Sequence, residues 1–414
     1  MPGGGRTVYV AGAGIAGLTL ALALAKFGAT VVVLERNDGI QEVGAGLQVS
    51  PNARRVLNQL GLDRQIASCS FEPEGIDLYG FGAAMPVVTL RLGAAVRSRF
   101  GVPYAVMHRA DLADVLYRAC RRFANIDVVF GVKSFDAASH ARGISVSLEE
   151  ARGRTRNVRA FAFVGADGVN SATRLGLLDG PKAEIHNRVA WRTLLDLDAL
   201  GTHVAKDRTS VLFGPGFHAV CYPLPHRGKL NVVLFAATPK RATAQPPAAP
   251  SLGRPPDARF AAILAAAGDS WTYWPLATVS LDDWHRGGIG VIGDAAHAML
   301  PFQAQGAAMS IEDAAILAPL LMTEPRAERA FERFVALRRP RVDRVMQVSA
   351  RNGTAFHLGW PLDKARDAVL RLEGPEGHLK RLAWLYGYDA APDIELKAPT
   401  RPPSAPHVER EHRH

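Results

Sequence analysis

The sequence predicts an α/β protein: an open, mostly parallel sheet flanked by helices, interleaved with a second, mostly antiparallel sheet and followed by C-terminal helices. Three observations predict it. A strand, a glycine turn, a helix and a second strand open the chain. A strand-rich stretch from about 181 to 280 lacks helical periodicity. A short apolar strand at Gly288–Ile292 and long helical stretches then return to the first sheet.

The elements follow in order. Thr7-Val8-Tyr9-Val10-Ala11 is β-rich, and Ile15 to Phe27 is an Ala/Leu helix that is apolar nearly all round, as a helix wedged between two layers should be. Gly28 ends it, and Val31-Val32-Val33-Leu34 is a buried strand, completing a βαβ unit. Phe71 to Leu92 reads as a pair of exposed strands, and Asp111 to Phe123 as a helix with Leu112, Val115, Leu116 and Ala119 on one face. Strands are expected at Ile126–Phe130, Ile144–Leu148 and Val158–Val164, then at Val189–Leu195, Ser210–Leu212, Val220–Leu224 and Leu230–Ala236. A Pro/Ala-rich loop from about Thr238 to Pro256 interrupts the second sheet and is expected to be mobile. Helices are expected over Gln305–Met322, Ala327–Val348 and Pro361–Leu385.

The chain of 414 residues, 48% hydrophobic and 21% charged, can bury a large core in two domains. Segments 1–70, 101–180 and 281–350 are assigned to the first domain and 71–100 with 181–280 to the second. Residues 351–390 form C-terminal helices, and 391–414 a disordered tail. The formal charge is +10, yet no Lys/Arg run with interleaved aromatics appears, so a nucleic-acid partner is not expected. Small phosphate-bearing ligands suit the same charge, as does a plain mixed-charge surface. Cys69, Cys120 and Cys221 are too widely spaced for a disulfide framework or a zinc site, so no metal is expected and a reducing cytoplasm is the natural compartment. Glycines interrupt the apolar N-terminal run, which is therefore not read as a signal segment. No stretch reads as a membrane span.

Gly12-Ala13-Gly14-Ile15-Ala16-Gly17 matches G-x-G-x-x-G between strand and helix, the context that gives this motif its meaning. Gly12 permits the turn, Gly14 lets a pyrophosphate approach, and Gly17 lets helix and strand pack closely. The helix N-terminus offers free N–H groups to phosphate. Glu35 ends the second strand, where a carboxylate can accept ribose hydroxyls. A glycine-rich turn without ligand is the competing reading. Gly293-Asp294 follows another short strand and suits a polyol such as a ribityl chain, although a helix N-cap would look the same. Gln305-Gly306-Ala307-Ala308-Met309 opens a helix whose amides could face flavin carbonyls and stabilise reduced flavin.

With Gly165-Ala166-Asp167-Gly168-Val169-Asn170-Ser171 and Gly293-Asp294-Ala295-Ala296-His297 in place, residues 6 to 390 resemble the class A flavoprotein monooxygenases. That group includes p-hydroxybenzoate, salicylate, 3-hydroxybenzoate and 6-hydroxynicotinate hydroxylases. The run Gly44 to Asn52, His108-Arg109-Ala110-Asp111-Leu112 and Pro301 to Gly306 resemble the salicylate hydroxylase branch. The resemblance implies a Rossmann-like FAD domain of the p-hydroxybenzoate hydroxylase type and no separate nicotinamide domain. It implies FAD, NADH or NADPH, and O2 acting on a small aromatic or N-heteroaromatic acid through a flavin C4a-hydroperoxide. A homodimer is an expectation from the family. FAD contacts are implied for Gly12, Gly14, Ala16, Gly17, Glu35 and Arg36 on the adenosine side, and for Gly46, Gln48, Arg109, Val132 and Asp167. Gly293, Asp294, Pro301, Gly306, Ala307 and Ala308 complete that set. Arg174 is expected to help the pyridine nucleotide dock, and His297 to pack the turn after Asp294.

His218 and Tyr222 lie on one face of a strand by their even spacing. In the 6-hydroxynicotinate and salicylate branch such a pair lines the substrate pocket. A His with a pKa near neutrality could then accept a phenolic proton. The alternative makes His218 a loop residue and Tyr222 a core aromatic. Arg192 could anchor a substrate carboxylate or be an edge charge. Some relatives carry His where this chain has Phe302 and Gln48, so its pocket is expected to be more apolar, with Phe302 against substrate. Two other readings stay open: a same-fold flavoenzyme for a lipophilic ring such as a quinone precursor, and a non-catalytic FAD carrier. An NAD-only dehydrogenase leaves Gly293-Asp294 unexplained.

Overall fold

The computed structural model describes residues 5–40, 46–140, 143–149, 153, 155–238 and 247–390. The expected tail, the middle of the Pro/Ala-rich loop, and Gly44 with Ala45 lie outside these residues.

Six strands form the nucleotide sheet in the order His285–Arg286, Ile289–Val291, Ala162–Gly165, Thr7–Ala11, Thr30–Leu34, Ile126–Val129. All neighbours run parallel except the short His285–Arg286 edge. The helix Ile15–Lys26 is buried from Ile15 to Ala25, between this sheet and the helix Gly306–Thr323. Leu18, Leu20, Leu22 and Leu24 are essentially inaccessible, each contributing about 1.5–3 kcal/mol of burial.

Seven strands form the second sheet in the order Thr272–Thr278, Glu184–Asp196, Lys229–Ala237, Phe217–Leu224, Arg208–Gly214, Gly75–Tyr79, Val88–Arg91. Its pairs are antiparallel except Arg208–Gly214 with Gly75–Tyr79. The period of two divides its side chains cleanly. Trp191, Phe217, Ala219, Cys221, Val232 and Leu234 pack on one face with Phe260 and Ile263 of the helix Ala258–Ala267. The expected "exposed" pair near Phe71–Leu92 is instead the half-buried edge of this sheet.

The opposite face of the second sheet meets the loop after Pro301 and the end of the helix Ala327–Phe356, which begins against Gly306–Thr323. A membrane-length helix exists after all: Gly306–Thr323 has a mean hydropathy of 1.3. It carries Glu312 and Asp313, both fully buried, and is 78% buried inside the fold, as a core helix is. Several short elements were not anticipated. These include the helices Pro51–Gln59, Gly93–Phe100 and Ala258–Ala267, and a small sheet of Gly46–Val49, Ala105–His108 and Ser70–Phe71. Each is shorter than the roughly 11 to 18 residues over which hydrophobic periodicity becomes a clear signal.

Candidate active site

The first glycine loop is built by close contact. Gly12 has φ +100°, and a β-carbon there would lie 2.5 Å from the Ala166 carbonyl oxygen. A β-carbon on Gly17 would lie 2.0 Å from the Gly12 oxygen. Gly14 caps the helix Ile15–Lys26 with no side chain over its amides. Glu35 is already oriented: Oε2 accepts from the Ala13 amide at 3.0 Å, and Oε1 from the amide and side chain of Asn37. The Val132 amide donates to the Glu35 carbonyl, so Val132 borders the same strand end, and Arg36 beside it is exposed.

A second turn reaches this loop from far along the chain. Gly293 has φ +59°, and a β-carbon there would lie 3.1 Å from Cβ of Ala16 and 2.7 Å from Oγ of Ser310. Asp294 opens the short helix Asp294–His297, so the helix-start reading of Gly293-Asp294 is correct as local structure. Its carboxylate makes no hydrogen bond among the described residues, and Oδ1 lies 3.9 Å from where a Gly306 β-carbon would be. The helix Gly306–Thr323 begins there without a side-chain cap, leaving the amides of Gly306, Ala307 and Ala308 free of intrahelical partners.

A buried ionic network beneath these turns was missed in the sequence. Asp313 accepts from the Gly293 amide (2.9 Å), from Nε2 of His297 (2.6 Å) and from Nε of Arg338 (2.7 Å). Although burial opposes ionisation, His297 and Arg338 hold the Asp313 carboxyl down to about 2. Glu312 accepts from Arg338, from Nε and Nη2 of Arg341, and from Asn52, which also reaches Gln305. His297 therefore fastens its turn, as its sequence position implied.

The substrate-side wall is the free face of the second sheet. Its register sets three rows: Leu194–Asn231–Tyr222, Arg192–Val233–Val220 and Ala190–Phe235–His218. His218 and Tyr222 do share a face, about 13 Å apart along the strand. The Tyr222 ring covers Gly46, where a β-carbon would lie 2.5 Å from it, and Asn231 Oδ1 accepts from the Gly46 amide at 2.6 Å. Gln48, next along, accepts from the Tyr104 hydroxyl. Burial raises the Tyr222 phenol, with Arg192 opposing. Burial lowers Arg192, and the like charge of Arg109 adds to it. Arg192 lies 5.2 Å over the Trp274 ring, has no carboxylate partner among the described residues, and its Nε is buried without a hydrogen bond.

At the far end, His218 stacks on Phe235 and meets Phe302 edge-on, while Phe302 leans on Gly353. His218 Nδ1 lies 2.8 Å from Nε2 of His357. No sequence signal marks His357, whose partner is 139 residues away.

The FAD binding domain family matches residues 6–349. The chain belongs to the class A flavoprotein monooxygenases. It is 32% identical over 394 residues to the 3-amino-4-hydroxybenzoate 2-monooxygenase PtnB3 of Streptomyces platensis, covering 93% of this chain and 96% of that protein. It is 28% identical to 3-hydroxybenzoate 6-hydroxylase 1 of Aquipseudomonas alcaligenes, over 92% of this chain and 98% of the relative. The tetrameric form of 2-methyl-3-hydroxypyridine-5-carboxylic acid oxygenase matches with a TM-score of 0.69 at 26% identity, covering 87% of this chain and 96% of that one.

Two expectations for this monooxygenase need correcting. Arg174 is 1% exposed and donates to the carbonyls of Pro181, Ala295 and Val169, so it braces its loop and offers no surface to a pyridine nucleotide. Beside it, Asp167 accepts from Ser171 and Thr173 of the same loop. His218 is not poised near neutrality: burial, with His357 and Arg188 nearby, holds it well below the usual histidine range. It is neutral, and neutral imidazole can still accept a proton.

Proposed function

We propose that this flavoenzyme hydroxylates a small aromatic acid, with the carboxylate on Arg192 and the ring between Tyr222 and His218. The family brings FAD, and the turns fit it. The Gly12 loop is a cradle that any β-carbon would fill, two uncapped helix N-termini converge, and the Asp294 carboxylate lacks a partner among the described residues. Glu35 and Arg36 would take the adenosine ribose side, with Ala16, Gly17 and Val132 packing there. Arg109, Gly46 and Gln48 would border the middle. Asp294 and Gly293 would hold the ribityl chain, and Pro301 with the amides of Gly306, Ala307 and Ala308 would meet the ring system. Asp167 would act through its loop. When bound, FAD supplies hydride acceptance from NADH or NADPH and activation of O2.

The chain's own work is orientation, dryness and one proton. Phe302, Phe235, Val220 and Val233 exclude water from the floor. A neutral His218 accepts the ring hydroxyl proton, making the ring electron-rich. The Gly306 helix dipole favours negative charge on the reduced cofactor.

The observation that carries this reading is Arg192, a half-buried cation whose Nε is buried without a hydrogen bond and which has no carboxylate partner among the described residues. Burying an unpaired guanidinium is costly, so an anionic ligand is the natural partner. It favours an acid over a lipophilic quinone precursor. The three free cysteines suit a reducing cytosol. The test is a panel of hydroxybenzoates, pyridine carboxylates and their decarboxylated counterparts, scored together for NADH and NADPH oxidation, oxygen uptake and peroxide release. Coupled turnover confined to the acids is expected. Coupled turnover of neutral lipophilic rings alone would overturn the reading.

A further inference from the structure

We propose that the outer face of the helix Leu362–Arg381, with an arginine-lined cavity beside it, docks on the anionic surface of a lipid bilayer. The proposal goes beyond the reaction above and does not depend on which ring is hydroxylated.

This helix is amphipathic in the wrong sense for a core. Of the eight large hydrophobic side chains exposed among the described residues, four lie within residues 360–372. Trp360 is 83% exposed and Leu372 87%, and Leu362 and Val369 are each more than half exposed. At 3.6 residues per turn, Leu362, Ala365, Val369 and Leu372 fall within about 80° of the circumference and run about 15 Å along the axis. Single apolar residues on a surface are ordinary, but a continuous stripe marks a contact. The inner face is polar instead. Asp363 and Asp367 are buried, Arg366 pairs with Asp367, and a β-carbon on Gly80 would lie 2.6 Å from Asp367 Oδ2. Gly80 belongs to the turn joining Gly75–Tyr79 to Val88–Arg91, and the same turn carries Met85, itself exposed.

Cations border the stripe. Lys364 lies at its margin, and so does Arg371, which with Arg91 and Arg208 lines a cavity of about 650 Å³ beside the strand Val88–Arg91. Glu74 is the one carboxylate among the lining residues. Arg91 and Arg371 make no ion pair or hydrogen bond among the described residues. Nε of Arg208 is buried without a hydrogen bond, and the carboxylates nearest its guanidinium, on Asp77 and Asp207, lie 3.5 and 3.7 Å away. The helix's own acids do not offset these charges: Asp363 and Asp367 face inward, and Glu373 is taken by His378 and Arg381.

This pattern selects the occupant. A second copy fits poorly, because a two-fold axis through the middle of the stripe would set Lys364 of one copy against Arg371 of the other. An anionic bilayer suits both halves. The stripe and Trp360 enter the boundary between headgroups and acyl chains, and the arginines meet headgroup phosphates. The net charge of +10 adds attraction at longer range.

The test is flotation of the FAD-loaded full-length protein with vesicles of phosphatidylcholine, alone or with about 30% phosphatidylserine. Binding confined to the anionic vesicles is expected, weakening as salt screens the arginines. Tryptophan emission should shift to the blue on binding, and Trp360→Phe should abolish the shift. Val369→Ser combined with Leu372→Ser should weaken binding at least about tenfold. Arg91→Gln combined with Arg371→Gln should weaken it about 30-fold, at about fivefold per cation. Flavin content and melting temperature should match the parent protein in every variant, so that lost binding is not lost folding. Failure to float with anionic vesicles, or undiminished binding by either double variant, would overturn the proposal. So would a dimer in sedimentation that Val369→Ser with Leu372→Ser dissolves, which would give the face to a second copy. A melting temperature raised by inorganic phosphate without any vesicle binding would give the cavity to a soluble anion and overturn it equally.

Discussion

Replacing Arg192 with Met separates what this residue does for substrate from what it does to the fold. Methionine keeps the length and the apolar stem but removes the charge. The guanidinium lies on Trp274, half-buried, repelled by Arg109 and without a carboxylate partner among the described residues. A substrate carboxylate docked there would form a charge-assisted pair largely shielded from water. Losing one partner of such a pair costs about 2–4 kcal/mol. At about 1.4 kcal/mol per decade, kcat/KM for the best acid should fall roughly thirty- to several-hundred-fold. The same ring without its carboxyl should react equally well with both proteins. Stability should move the other way: the ligand-free variant no longer buries an unpaired cation, so its denaturation midpoint should stay the same or rise. The assay is substrate-dependent NADH or NADPH oxidation for the acid–phenol pair, beside urea denaturation of both proteins. Equal losses for acid and phenol, or a destabilised variant, would show that Arg192 is structural and would refute the argument.

Arg338→Met should be destabilising by about 3–5 kcal/mol, because it removes the fully buried cation shared by Glu312 and Asp313; adding Asp313→Asn should recover part of this in denaturation curves. Stability should also fall with acid in a defined window. His357 is held down to about 4, below the ordinary 6.5, so between these values the unfolded chain binds a proton that the folded one does not. The contribution is complete above about 6.5 and declines by at most about 3 kcal/mol as pH drops to about 4. His357→Gln should make that segment of the stability profile shallower, leaving the share of His218, which burial also holds down. Gly353→Ala should favour the helix by about 1 kcal/mol, yet its methyl would sit 2.6 Å from the Phe302 ring. A displaced Phe302 should leave overall stability near wild type while raising peroxide release per NADH or NADPH consumed.

The parts legible in the sequence are those whose chemistry is local. Gly12, Gly14 and Gly17 must lie within one turn of one helix, so their spacing is their function. The same holds for Gly293-Asp294 and for the even spacing of His218 and Tyr222, which the strand Phe217–Leu224 converts into a shared face. The parts that stayed hidden depend on distant partners. His357 is an ordinary helix-end histidine until the fold sets it against His218. Arg338 looks like one of many arginines until it enters the core beside Glu312 and Asp313. Arg174 misled for the converse reason: a motif-adjacent arginine looks like a ligand contact, but its three donor positions are spent on nearby carbonyls.

The hidden residues share one element. The helix Ala327–Phe356 is about 45 Å long. Near its first third Arg338 grips the two acidic residues under the Gly293 and Gly306 turns, and at its end His357 engages His218 on the second sheet. Glycine-rich turns can approach a ligand closely, but they have no side chains with which to fix their own positions. The second sheet, in turn, has no strand in common with the first. A ring must nevertheless sit within ångströms of the reacting atom of the cofactor, since small misplacements are costly. A single rigid helix with a fully buried ionic anchor at one station and a clamped imidazole at the other fixes that distance better than two sheets in surface contact could. The ionic network is therefore best understood as setting position, with its net stability a lesser matter.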